Sequence, residues 1–122
     1  MTYTNAARDA AVNAIRALLT SNIGYISLHT ADPGTTGANE ATGTGYARGS
    51  STFPAASGGT GSTGTQASVT ARTGTATAAT HVGIWTASSA GTFITGIPLS
   101  VTENFSTAGG TLNYTPTLTA TG

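Results

Sequence analysis

The residues with which this chain could do chemistry are few. Its 122 residues hold two histidines, four acids and four bases, and no cysteine. The acids are Asp9, Asp32, Glu40 and Glu103; the bases are Arg8, Arg16, Arg48 and Arg72, with no lysine. His29, Asp32 and Glu40 fall in one short stretch and could in principle meet around a metal ion with mixed nitrogen and oxygen ligands. Neither His29 nor His81 has a second ligand at a recognisable metal spacing. The expectation is therefore a strand histidine that hydrogen-bonds a nearby backbone or hydroxyl group, and no metal. Paired carboxylates for general acid–base work must be held in a cleft at a fixed separation. Asp32 and Glu40 instead flank a Gly/Thr loop, a poor place to fix one. Serines are plentiful, but no nucleophile-elbow sequence accompanies them. Gly59, Gly61 and Gly64 match G-x-G-x-x-G by letter. The dinucleotide motif needs a buried strand before it and an amphipathic helix after it. Here Pro54 and small residues precede it, and Val69 is the one large aliphatic for some distance beyond. No catalytic residue, cofactor or metal is expected, and no enzymatic activity.

Composition excludes other classes. Charged residues are 7% of the chain, against roughly 25% in an ordinary soluble domain. Net charge is zero. Nucleic-acid binding needs a basic patch to neutralise phosphates, which four scattered arginines do not make. A polybasic membrane-surface helix is excluded on the same ground. The longest apolar run falls far short of the ~20 residues of a membrane span. Arg8 and Asp9 interrupt the place where a cleaved signal peptide would need an unbroken apolar centre. A surface this poor in charge tends to associate. We therefore expect a homo-oligomer with closed symmetry, most simply a trimer.

The elements read as follows. Thr4 to Thr20 is the one convincing helix, with Thr4 or Asn5 as N-cap. Ala11, Val12, Ile15, Leu18 and Leu19 form an apolar stripe at helical spacing, opposite Asp9, Asn13, Arg16 and Thr20. Val12, Ile15 and Leu19 are the candidate assembly contacts. Tyr25 to Thr30 alternates as a half-buried strand: Tyr25, Ser27 and His29 on one side, Ile26, Leu28 and Thr30 on the other. Asp32-Pro33-Gly34 stops it with a turn. Further strands are expected at Tyr46–Phe53, weakly at Gln66–Arg72, at His81–Thr86, at Thr92–Leu99, at Val101–Phe105 and at Thr111–Leu118. Pro98 marks an edge or a bulge. Thr73 to Thr80, low in apolar mass, reads as an edge or loop. Ile84, Trp85 and Phe93 should be largely buried, with Ile26 and Leu28 near them. The remaining aromatics, Tyr25, Tyr46, Phe53, Phe105 and Tyr114, suit a core; a sugar-binding face is the functional alternative. The fold class is mainly β: an antiparallel β-sandwich or small barrel with one N-terminal α-helix. Residues 1–122 make one domain, with 1–22 as helix and 23–122 as sandwich.

Four segments occur in a familiar order: Tyr25-Ile-Ser-Leu-His-Thr-Ala-Asp-Pro-Gly34, Tyr46-Ala-Arg48, Thr80-His-Val-Gly-Ile-Trp85, and the strand from Gly91 to Leu99. In this the chain resembles a family of small virion structural proteins of tailed phages of actinobacteria and other bacteria. Members are called capsid decoration, head fibre, minor capsid, minor tail or tail fibre proteins. The resemblance runs from the N-terminal helix through Leu99; residues 106–122 match less well. It implies a β-sandwich without enzymatic activity and offers no catalytic residue to carry over. The implied place is the virion, on the capsid surface or alternatively in the tail, after assembly in the host cytoplasm. The implied partners are the major capsid protein and further copies of the chain, with no nucleic acid and no membrane. A carbohydrate- or receptor-binding module is the competing reading.

Overall fold

Thr4 has extended backbone, and its Oγ1 accepts a hydrogen bond from the Ala7 N–H at 3.1 Å. It thereby satisfies one of the free donors that begin α1, Asn5–Arg16. A computed structural model describes residues 1–120 and packs this helix, through Val12, against the core of a set of antiparallel sheets. The helix stops at Arg16 rather than Thr20. A separate 3-10 turn, Thr20–Asn22, follows, in which Ser21 and Asn22 take positive φ. Its polar face is not left to solvent. Asp9 Oδ1 accepts from the Gly59 N–H, Asn13 Oδ1 accepts from the Ala56 N–H, and Arg16 Nε donates to the Phe53 carbonyl, all at 2.9 Å. These three side chains strap the loop after Phe53 onto the helix.

The main sheet has the order β2-β1-β5-β6. It comprises β1 (Ile23–His29), β2 (Gly49–Thr52), β5 (Thr77–Trp85) and β6 (Phe93–Phe105), each pair antiparallel. Two smaller ladders complete the fold. One joins β3 (Ser62–Thr63) to β8 (Thr117–Leu118), and the other joins β4 (Ala67–Ala71) to β7 (Gly110–Tyr114). The fold is thus mainly β with antiparallel sheets and one N-terminal helix, as the sequence indicates, and it is not closed into a barrel.

The β1–β5 register sets Ile26 opposite Ile84 and Leu28 opposite Val82. Directly opposed residues share a face, and all four are fully buried. Val69, Ala67 and Ala71 of β4 alternate inward. Phe53 and Val12 join them in one cluster.

Three readings of the sequence need correction here. Thr77 to Thr80 is not an outlying segment but the first part of β5, with Thr77 and Ala79 buried. Short side chains fit a closely packed site, so low apolar mass did not mean exposure. The expected strands at Thr92–Leu99 and Val101–Phe105 are one 13-residue strand, β6. It is irregular at two places: in residues 99–102, opposite Thr80, and at Ile94, between the partners of Ile84 and Trp85. Pro98 stands on this edge strand beside the first of these, where a missing N–H is tolerated. Finally, Thr111–Leu118 divides into β7 and β8 on either side of a buried Pro116.

Candidate functional site

The second face of the main sheet carries Ser27 and His29 of β1 and Gly83 and Trp85 of β5. Residues 30–48 fold back over it. Asp32 Oδ1 accepts from the Gly34 N–H at 2.8 Å, which forms the expected turn, with Gly34 at φ +60°. The loop is then tied to β1: Thr30 N–H donates to the Asn39 carbonyl and Ala41 N–H to the Leu28 carbonyl, at 3.0 and 2.8 Å. Pro33 is fully buried. Gly37 has φ +77°, and a Cβ on it would lie 2.5 Å from the Trp85 ring. Gly83 is equally confined: a Cβ there would lie 2.6 Å from both His29 Nε2 and Ser27 Oγ. The glycines thus give the polar groups the room they occupy.

Beneath the loop lies a hydrogen-bonded chain whose proton positions follow from the partners. The Ala38 carbonyl can only accept, so His29 Nδ1 donates to it, at 2.7 Å. Nε2 of the neutral ring is then an acceptor. Ser27 Oγ supplies its proton, at 2.7 Å, and itself accepts from Trp85 Nε1–H at 2.8 Å. Ser27 and His29 are both fully buried. Phe93 stands edge-on to both the His29 and Trp85 rings, at 6.0 and 5.1 Å.

Arg48 closes the outer side. Its guanidinium lies 4.0 Å over the Trp85 ring, a cation–π contact. Nε and Nη2 reach the two Glu40 oxygens, both at 2.8 Å, in bidentate geometry. Nη1 donates to the Ala87 and Ala90 carbonyls, at 2.8 and 2.9 Å. The Tyr46 hydroxyl donates to Glu40 Oε2 at 2.7 Å and accepts from the Leu28 N–H at 3.2 Å. Burial alone would raise the Glu40 carboxyl, but the hydrogen bonds from Arg48 and Tyr46 outweigh it and hold the carboxyl below its ordinary range. Burial, reinforced by the bond to Glu40, pushes the Tyr46 hydroxyl well above the usual phenol range. Burial lowers the His29 ring below the ordinary histidine range against the opposing pull of the Ala38 carbonyl.

Each residue singled out in the sequence can now be placed. His29 and Glu40 do come together, as a backbone bridge. Asp32 turns its carboxylate to Gly34, and no group of three metal-ligating side chains occurs among the described residues. A serine does meet a histidine, but His29 is oriented by a carbonyl, not a carboxylate, and the pair has no surface for a substrate to reach. Gly59 and the residues around it form the strap over α1, and no helix follows Gly64 among the described residues. Trp85 and Phe93 are partly buried under the loop, on the face opposite Ile84, so what is corrected is the expectation that all three lie near Ile26 and Leu28; only Ile84 does. Among the described aromatics only Tyr3 is exposed, and no aromatic platform is formed. Val12 and Leu19, two of the three expected assembly contacts, are buried within the chain's own core. Ile15 is half-buried and, with the exposed Leu18, borders a groove of about 420 Å³ whose far walls include Ile94, Ile97 and Leu118. The Glu40–Arg48–Trp85 contacts were not anticipated from the sequence; the one clue was that a chain so short of charge spends an arginine and a glutamate eight residues apart on one loop.

The model of a family described as Podophage GP4 fiber I protein gp80 matches residues 3–120. No curated protein matches the chain.

Proposed function

Because the chain belongs to the Podophage GP4 fiber I protein gp80 family, and is accordingly a bacteriophage structural protein, we propose that it is a non-enzymatic subunit of the virion's outer surface, set on the capsid as a head-fibre or decoration protein. The match across residues 3–120 supports the structural role in the virion. The site geometry supports it: the polar groups that could do chemistry are satisfied by one another, and the loop over them is held from both ends. The compact form favours the capsid over the tail. A shaft needs a heptad helix, a G-X-Y period or a repeat, and the α-helix found among the described residues has 12 residues. The family's description as a fibre protein keeps a tail-fibre or minor tail position as the second reading. Gold-labelled antibody on intact particles separates the two. Label over the capsid is the expected result, and label on the tail alone would overturn the capsid assignment.

The proposed partners are the major capsid protein and further copies of this chain, most simply as a trimer. Groups that add small contacts many times over bind by avidity rather than by one large interface. Light scattering of the purified protein at micromolar concentration should give a mass near three chains. A monomer, both alone and in a density map of the particle, would remove the oligomer from the proposal.

A further inference from the structure

We propose that His29 is a protonation latch: its neutral ring holds the loop of residues 30–48 against the main sheet, and a proton on Nε2 releases that loop. The wiring carries the argument. Nδ1 already donates to the Ala38 carbonyl of the loop, so an added proton can go only to Nε2. Nε2 takes its hydrogen bond from Ser27, whose oxygen also accepts from Trp85. With Nε2 protonated, Ser27 must accept from both rings, and its own proton loses its acceptor. A buried donor without a partner and a buried cation are both costly. The cheapest relief is to let water reach the ring, and the side of the ring that a short loop covers is the loop side.

The charged and titratable groups around the ring come from two elements. Glu40, bridged to His29 through the backbone, favours the cation, but its carboxylate is already engaged by Arg48 and Tyr46. Arg48 of the same loop and His81, its register partner on β5, disfavour the cation. Phe93 offers the ring an edge, not a charge. The closed form therefore keeps a neutral ring at a pH where a solvated histidine, with its pKa of about 6.5, is already protonated. The sign follows. The open form binds the extra proton, so the closed form is fully favoured above about pH 6.5. That preference is lost as the pH falls below it, by up to tenfold in the open population per pH unit. The latch is independent of whether the subunit sits on capsid or tail.

Amide hydrogen exchange by NMR tests it between pH 7 and 5, above the range in which Glu40 titrates. Protection factors, corrected for intrinsic rates, should fall for the loop amides of Thr30 and Ala41 by up to about thirtyfold from pH 6.5 to 5. They should do so through an opening that low urea leaves unchanged, whereas β1–β5 ladder amides respond to urea. In His29→Gln, neutral throughout, the loop protection should be flat with pH, and in His81→Gln the fall should persist. Loop protection that stays within twofold in the unmodified protein overturns the latch, whether or not His29→Gln folds. So does a fall that His29→Gln retains, or one lost in His81→Gln.

Discussion

Arg48→Ala is expected to lower the unfolding free energy by about 3 kcal/mol, a large part of the roughly 5–15 kcal/mol that a domain of this kind possesses. The pair it breaks is shielded: the Arg48 and Glu40 side chains are 7% and 18% exposed. Removing one partner of a buried pair leaves an uncompensated charge, at a cost of about 3–5 kcal/mol. Glu40 keeps the Tyr46 hydroxyl and some contact with water, which places the loss at the lower end of that range. Three further contacts go with the side chain: the stack on Trp85 and the two carbonyls of residues 87 and 90. Urea unfolding should show a lower midpoint with an unchanged slope. Removing both charges together, as in Arg48→Met with Glu40→Leu, should cost less than the sum of the two single changes, because no charge is then left unpaired. Additive losses would show that the two residues act separately. The acid limb carries the same signature. Glu40 is held below its ordinary pKa, so its contribution is present above about pH 4.5 and is lost as the pH falls through the folded value. Arg48→Ala should flatten that part of the profile.

How much of this was legible in the sequence depends on the kind of information involved. Period-two alternation located β1 within two residues of its true start and divided Ile26 and Leu28 correctly from Ser27 and His29. Pro98 announced an edge or a bulge, and Asp32-Pro33-Gly34 announced a turn, because φ constraints and missing donors act locally. Alternation does not say what covers the second face. Both faces of β1 are buried here, one against β4 and the core cluster and the other by the chain's own loop, so Trp85 and Ile84 have different neighbours although they are adjacent. The helix shows the same limit. Its apolar stripe was visible, but Asp9, Asn13 and Arg16 face a loop whose N–H and carbonyl groups want partners, and no hydrophobic pattern records that. Arg48 and Glu40 meet because the loop doubles back, and the seven intervening residues, mostly small, carry no period from which this could be read.

Phe53→Ala is the second large loss expected, at about 3–5 kcal/mol. Phe53 is 1% exposed and is the largest of the fully buried side chains. The chain makes room for its ring with two glycines. A Cβ on Gly24 of β1 would lie 2.7 Å from the ring, and one on Gly64 would lie 3.1 Å from it. Both sides of the ring thus rest against positions with no side chain to collapse inward, and a truncated residue would leave a cavity that its neighbours cannot fill. The backbone here is pinned as well: Phe53 N–H donates to the Asn22 carbonyl at 2.9 Å, and its carbonyl accepts from Arg16 at the same distance. The residue therefore joins the end of α1, β1, β2 and the approach to β4, and its loss should be felt cooperatively. Trp85→Ala makes the comparison. Trp85 is half-buried under a loop that can settle, so it should cost less than Phe53→Ala despite removing the larger side chain. Circular dichroism with urea on the two variants decides it. If Trp85→Ala is the more damaging, the core lies beneath the loop rather than between the sheets. Gly64→Ala in the unmodified background should also destabilise, by overpacking, by about 1–3 kcal/mol. The new Cβ would meet the Ser51 hydroxyl before it met the Phe53 ring, so combining it with Ser51→Ala should recover part of that loss.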